Sequence, residues 1–212
     1  MMKGTVLTVA VFVLGCIAGW SGFADMEMFV DAGRDLPMYL LYILMFLVGI
    51  SVGSNPDLKK IVKSVSPKIL LLPLVTVLGT LAFSALAGIL ITGYGLADSL
   101  AIGSGMGYYS LSSVLIGQLK EASAGAQLAA ELGTVALLTN IFREMFTLVG
   151  APLLCRWFGP FAPIASAGAT AFDVCLPVIV RYSGDRMLPY AIVSGVVCDM
   201  SVPFLVSFFC SF

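Results

Sequence analysis

Ala101-Ile-Gly-Ser-Gly-Met-Gly-Tyr-Tyr-Ser-Leu-Ser-Ser113 puts glycine at the alternate positions 103, 105 and 107, then two tyrosines and three serines. Alternating glycines raise the entropic cost of a helix and leave a strand without side chains to pack, so this backbone is expected to unwind. The sequence on either side is strongly apolar. At membrane depth, unwound backbone is tolerated only where protein buries it or where it lines a watery cavity. The loop therefore reads as a site.

The 212 residues are 59% hydrophobic and 11% charged, with a mean hydropathy of +1.04. A soluble domain has about 45–50% apolar and roughly 25% charged residues, so the fold class is an all-α polytopic integral membrane protein. A net charge of −1 without a basic face excludes nucleic acid as a partner. Histidine is absent, which removes most metal sites, the Ser-His-Asp triad and the commonest proton shuttle. No paired nucleophile and base is visible either, so an enzyme is disfavoured and no cofactor is implied. Cys16, Cys155, Cys175, Cys198 and Cys210 lie far apart without a C-x-x-C, and read as small buried hydrophobes.

Outward from the loop, the apolar runs give a chain of spans. The first covers about Gly4–Gly22; Lys3 precedes it as in a signal sequence, but Ser21–Asp25 is a poor cleavage site, so a retained span is expected. The loop Phe23–Leu36 holds Asp25, Glu27, Asp31 and Asp35 against Arg34 alone. The second span is about Pro37–Gly53, and Lys59, Lys60, Lys63 and Lys68 follow it. The excess of Lys and Arg in short cytoplasmic loops puts the N-terminus and the lysines inside. A third span, about Ile69–Thr92, leads to the broken segment Asp98–Leu119 and a polar patch from Lys120 to Gln127. Next come the apolar stretch Leu128–Phe158, a second broken segment Ala165–Tyr182 and a final span at about Met187–Ser211. This makes about five spanning helices plus two broken or re-entrant segments, grouped as 1–68, 69–127 and 128–212.

A shift of 63 residues aligns Gly105 with Gly168, Tyr109 with Phe172, Ser110 with Asp173 and Ile116 with Ile179. Each member follows one long apolar helix. The match is short, and chance similarity between apolar segments competes with an inverted repeat, a frequent plan for secondary transporters. If both segments re-enter, Arg156, Arg181 and Arg186 join the lysines inside and only Arg34 and Lys120 break the charge pattern. If both cross, Lys120 moves inside and Arg156 outside. Either way the C-terminus is expected outside; re-entry is the reading adopted.

Arg143 and Glu144 sit in the middle of an apolar helix, where a charge costs about 2.5–3.5 kcal/mol on insertion scales. Such groups face the bundle interior and do a job, or they compensate partners and snorkel. Asn140 lies four residues before Glu144 on the same helical face and is placed to fix the carboxylate. Asp173, beside the second break, suits a cation or ammonium; the competing reading is a cap on the half-helix that follows. Asp199 in the last span is a weaker third candidate, placed to bond a hydroxyl on a neighbouring helix. In the first loop, a half-helix starting near Tyr109 would turn its positive end toward an anionic group. Tyr108 or Tyr109 would lay a ring against an ammonium, while close helix packing and an interfacial belt are the alternatives for the glycines and tyrosines. Two intramembrane carboxylates and two broken segments suit a small polar or cationic solute.

Gly105-Met-Gly-Tyr-Tyr-Ser-Leu-Ser112 resembles the Gly-x-Gly-Trp-Tyr-Ser-Leu-Ser signature of the bacterial lysine exporter family of the LysO type. Asn140-Ile-Phe-Arg-Glu144 is similar to that family's Asn-Asp-x-x-Arg-Glu block, shortened or shifted at its second position. Gly168-Ala-Thr-Ala-Phe-Asp173-Val-Cys-Leu-Pro-Val178 resembles its Gly-Ala-Thr-x-x-Asp-x-x-Leu-Pro-Val block, and Leu47-Val-Gly-Ile50 matches the end of a span. The resemblance covers the C-terminal two thirds of longer members. It departs at Tyr108, where the family has Trp, and at Ser113, where it has Gly, two positions that bear on substrate preference.

The resemblance implies export of L-lysine and its analogues across the inner membrane by proton exchange at an intramembrane carboxylate. The implied substrate-binding residues are Glu144, Asp173, Asn140, Gly105, Gly107, Tyr108, Tyr109, Ser110 and Ser112, with Glu144 and Asp173 coupling the proton. Because the family has split versions, a separate short membrane subunit is an expected partner beside the lipid bilayer. The oligomeric state stays open, a homo-oligomer included. The rival readings are an exporter of another amino acid or a polyamine, and a non-transporting subunit of a membrane complex.

Overall fold

Helix is the only regular secondary structure among the described residues, as lipid requires of a chain that must satisfy its own backbone. The computed structural model describes residues 67–90 and 93–212, together with the helical positions Tyr39, Ile43, Phe46 and Ile50. The first two expected spans, the acidic loop and the lysine loop lie outside the described residues. By compactness the chain divides into Met1–Val48 and Gly49–Phe212, and the description below concerns the second unit.

After a 3-10 turn at Pro67–Leu70, α1 runs Leu71–Leu90, α2 Leu96–Gly103, α3 Tyr109–Ala124 and α4 Ala126–Phe158. Then come α5 at Ala162–Ala167, continued by a 3-10 turn Gly168–Phe172, and α6 at Leu176–Ser183. A 3-10 turn Asp185–Met187 leads into α7, Leu188–Cys210. Among the described residues, three stretches are long and apolar enough to cross a membrane: Leu71–Leu90, Ala126–Phe158 and Asp185–Cys210. The backbone breaks where the alternating glycines predict, between Gly103 and Tyr109, and α3 starts at Tyr109 as expected. The polar patch from Lys120 stays helical as far as Ala124, and Gly125 alone makes the turn into α4.

Each broken segment folds back on itself. In the first, α2 runs down α1 in close contact: a Cβ on Gly103 would lie 1.8 Å from Ser84 Oγ, so only glycine fits. The returning helix α3 brings Lys120 Nζ to 2.7 Å from Asp98 Oδ1. A continuous helix from 98 to 120 would hold those residues about 33 Å apart. The lysine that breaks the charge pattern under re-entry is thus neutralised where it stands. Asp98 also accepts the Gly95 N–H at 3.2 Å, tying the start of α2. Nearby, the Tyr94 hydroxyl donates to Glu131 Oε1 at 2.7 Å, and that bond raises the tyrosine pKa.

In the second segment α5 lies back along α4, where Thr147 Oγ1 and Ser166 Oγ are 2.7 Å apart. The returning helix α6 reaches the end of α4, and Cys155 Sγ donates to Tyr182 O at 3.2 Å. The two hairpins come from opposite ends of the bundle and meet tip to tip: Ala169 N–H donates to Met106 O at 2.9 Å. Met106 is fully buried at φ +46, a left-handed conformation that costs a non-glycine residue about 1–2 kcal/mol. Across from it Gly168 sits at φ +63, and a Cβ there would lie 2.4 Å from Met106 O. The helix α7 crosses beside both tips, with Gly195 against Phe172 and Ser201 Oγ 3.9 Å from Met106 Sδ. Ile164, Ala167, Ala171, Cys175, Ile179 and Ala191 form the core around the second hairpin. Cys155, Cys175, Cys198 and Cys210 are free thiols, and the last three are buried.

Gly168→Ala is expected to force the tips apart. Backbone strain at such a position amounts to about 1–3 kcal/mol, and the clash adds to it. The thermal midpoint of the purified protein should fall by several degrees. Gly150→Ala, whose new methyl would meet only Leu154 side-chain atoms at 3.8 Å or beyond, should leave it unchanged.

Candidate functional site

The tip of the first hairpin is held by one side chain from α4. Asn140, 2% exposed, accepts the Gly107 N–H on Oδ1 at 2.7 Å. Its Nδ2 donates to Ala136 O at 2.8 Å and faces Ile102 O and Ser112 Oγ at 3.4 Å. Ser112, also buried, donates to Tyr108 O at 2.8 Å. Gly105 belongs to the same knot, since a Cβ there would lie 2.3 Å from Asn140 Nδ2. Asn140 therefore fixes the unwound loop and not Glu144, although the two are four residues apart. Sequence spacing gives the helix face; the direction of the amide is set by the loop's unsatisfied backbone groups.

Arg143 serves the second hairpin in a comparable way. Its Nε donates to Ser166 O at 2.8 Å, Nη2 to Ala165 O at 3.1 Å and Nη1 to Thr80 Oγ1 at 3.3 Å. The guanidinium thus caps the carbonyl end of α5, where a helix terminus favours positive charge, and ties α5 to α1. Arg143 also lines a groove of about 560 Å³ with Thr76, Gly79, Thr80, Ser84 and Ser166. None of the carboxylates lines that groove, so it lies away from the acidic cluster.

Glu144 is half-buried, and its Oε2 is buried without a hydrogen-bond partner among the described residues. Asp173 lies at the break in the second hairpin, exposed at the tip. It does not cap α6: that helix has Cys175 at its N-cap without a side-chain bond, and the Asp173 carboxylate accepts the neighbouring Val174 N–H at 2.5 Å. Asp173 is central among the charged groups. It is within electrostatic reach of Glu144, Asp199, Tyr108 and Tyr109.

Of the expected residues, Glu144, Asp173, Tyr108 and Tyr109 thus gather around the two tips. Asn140, Gly105, Gly107 and Ser112 build the loop behind them, and Ser110 is exposed in the first turn of α3. α3 and α6 both start without a side-chain cap, and helix starts leave backbone donors without intrahelical acceptors. Asp199, marked in the sequence only by the rarity of a charge in a span, is buried in α7 at 6% exposure. No set of three or more His, Cys, Asp or Glu side chains could hold a metal ion among the described residues.

A family model described as lysine exporter LysO matches residues 9–210. Lysine exporter LysO of Escherichia coli (strain K12) is 32% identical over 200 residues, which is 94% of this chain and 62% of that protein. A Haemophilus influenzae protein named "Putative lysine exporter" is 30% identical over 201 residues, 94% of this chain and 95% of the relative. The chain therefore spans about three fifths of the first relative's length and nearly all of the second's. No solved structure matches the chain.

Proposed function

The chain belongs to the lysine exporter LysO family, and on that premise we propose that it is a secondary transporter exporting L-lysine and lysine analogues across the bacterial inner membrane. The observation that carries this reading is the cluster of Glu144, Asp173 and the two tyrosines where the hairpin tips meet. A carboxylate oxygen of Glu144 is buried there without a hydrogen-bond partner among the described residues. A buried carboxylate lacking hydrogen bonds is costly unless it is protonated or holds a cation. Alternation between those two states is proton exchange.

In this reading the side-chain ammonium of lysine binds Glu144, with Asp173 beside it and the Tyr109 ring against it. The α-carboxylate lies against the first amides of α3 and the Ser110 hydroxyl. Asn140, Ser112, Gly105 and Gly107 keep those amides in place. The unit of α1 with the first hairpin, and the unit of α4 with the second, enter from opposite ends; this supports an inverted repeat with two re-entrant hairpins. With the two N-terminal spans the count is five. Rocking of one repeat against the other would expose the site to either side. The N-terminus then lies inside and the C-terminus outside, and a separate short membrane subunit is a partner.

The test is counterflow of labelled L-lysine in proteoliposomes containing the full chain, with unlabelled lysine, ornithine and arginine as competitors. Lysine should compete best. Preferred competition by another amino acid or a polyamine replaces the substrate, and silence with the short subunit also supplied overturns the transporter reading.

A further inference from the structure

Two of the cationic side chains are spent within the fold: Lys120 on Asp98, and Arg143 on Ser166, Ala165 and Thr80. Arg156, Arg181 and Arg186 are exposed, and among the described residues none of them donates a hydrogen bond or forms an ion pair. Arg181 lies over the ring of its neighbour Tyr182, at 5.6 Å from the centroid. The fold brings these three arginines to one end of the bundle. Cys155 Sγ is 3.2 Å from Tyr182 O and 3.9 Å from Ser183 Oγ, so the last turns of α4 and α6 meet. Arg156 follows Cys155, Arg181 precedes Tyr182, and Arg186 sits in the 3-10 turn directly after α6. Phe161 packs edge to face on Tyr190 at 5.2 Å, which draws the starts of α5 and α7 to the same end. The acid on these connected ends is Asp185, so three positive charges stand against one negative.

Helix dipoles account for part of this pattern. Arg156 and Arg181 lie in the last turns of α4 and α6, where positive charge is favourable. Arg186 stands just before the start of α7, where positive charge is unfavourable, so the dipoles do not explain the set. Trp157, Phe158 and Tyr182 are exposed beside the arginines. Exposed aromatic rings next to cations, at the end of a helix long enough to cross a membrane, mark the headgroup level.

We propose that Arg156, Arg181 and Arg186 form a site for the anionic headgroup of a phospholipid, which bridges the ends of α4 and α6. The phosphodiester oxygens accept from the guanidinium forks, and the acyl chains lie against Trp157 and Phe158. The headgroup thereby fastens from outside a helix whose polar contacts with α4, among the described residues, are the two with Cys155 sulfur. The inference goes beyond the export reading and does not depend on the identity of the solute.

The test uses the purified full chain carrying Trp20→Phe, which leaves Trp157 as its single tryptophan. This parent is placed in phosphatidylcholine vesicles containing brominated phosphatidylglycerol or brominated phosphatidylcholine. Bromine on a bound acyl chain quenches Trp157, and comparison of the two quenching curves gives the preference for the anionic headgroup. The parent should prefer phosphatidylglycerol. Arg156→Gln, Arg181→Gln and Arg186→Gln should each lower the preference about fivefold, and the three together should abolish it. Arg156→Lys, Arg181→Lys and Arg186→Lys combined keep the charge and should keep part of the preference. Phosphatidylglycerol should raise the thermal midpoint of the parent and leave that of the triple Gln variant unchanged. In phosphatidylcholine alone the two midpoints should agree, which shows that the triple variant is folded; the single variants carry the test by themselves if it is not. The proposal is overturned if the parent shows no preference, if the Gln variants keep the parent's preference, or if inorganic phosphate removes it, which would mark a site for a soluble anion. No flux enters these readouts, so failure here leaves the export reading standing.

Discussion

On the proposed mechanism, Glu144→Gln is expected to abolish lysine exchange in proteoliposomes, leaving less than about one hundredth of wild-type counterflow, and to remove the dependence of the residual flux on a proton gradient. The reasoning is local. Glutamine matches the carboxylate in shape but holds no charge for an ammonium and takes up no proton. The lost charge-assisted bond is worth about 1.5–3 kcal/mol, and loss of the exchanging proton removes the coupling itself. The fold should not suffer. Glu144 Oε2 is buried without a hydrogen-bond partner among the described residues, and a partly buried charge with an unpaired oxygen is a burden on the folded state. The thermal midpoint of the variant should therefore equal or exceed that of the wild type. Gain of stability with loss of activity is the signature of a group kept for function. Full export by Glu144→Gln with an unchanged pH dependence would refute proton exchange at this residue.

Lys120→Met has the largest expected effect on stability, a loss of about 3 kcal/mol, read from denaturant or thermal unfolding in mild detergent. Lys120 is 6% exposed and makes a 2.7 Å pair with Asp98, itself only partly accessible. Breaking a buried pair by removing one partner costs about 3–5 kcal/mol, because the remaining charge is stranded. The low end applies because Asp98 keeps some access to solvent. Adding Asp98→Asn to Lys120→Met should recover most of the loss. The amide no longer strands a charge and can still accept the Gly95 N–H. The cycle of the two single and one double substitutions isolates the pair's coupling. A single Lys120→Met within about 0.5 kcal/mol of wild type would mean that the arms of the first hairpin close without the pair.

The break at 103–109 was legible because its cause is local: glycines at alternate positions act through the chain's own entropy. The long helices were legible for the same reason, as uninterrupted apolar runs. What Lys120 does was not legible. Its partner is 22 positions away and becomes a neighbour only because the segment folds back. Asn140 shows the limit of periodicity most clearly. Its spacing from Glu144 correctly puts the two on neighbouring turns, yet its amide serves Gly107, a group 33 positions earlier in the chain. Arg143 announced itself as a charge in an apolar helix, but a sequence carries no sign that carbonyls at 165 and 166 will be its partners. The direction in which Asp199 points was not legible for a different reason. Helix α7 is buried on many sides, from Ala191 to Cys210, so no polar face marks which way the acid points.

The hairpins differ in how firmly they are fastened, and this difference has a mechanical consequence. The first is buckled at its open end by Lys120 and Asp98 and knotted at its tip by Asn140. The second has its outgoing arm pinned by Arg143, while the polar contacts that hold its returning arm α6 at the open end among the described residues are weak sulfur contacts with Cys155. Two springs of unequal stiffness joined end to end take up nearly all of an applied extension in the softer one. The tips at Met106 and Ala169 are such a joint. Strain introduced at the joint by an arriving charge will therefore be absorbed by α6, and the bundle should yield first at the end where α4 finishes and α7 begins.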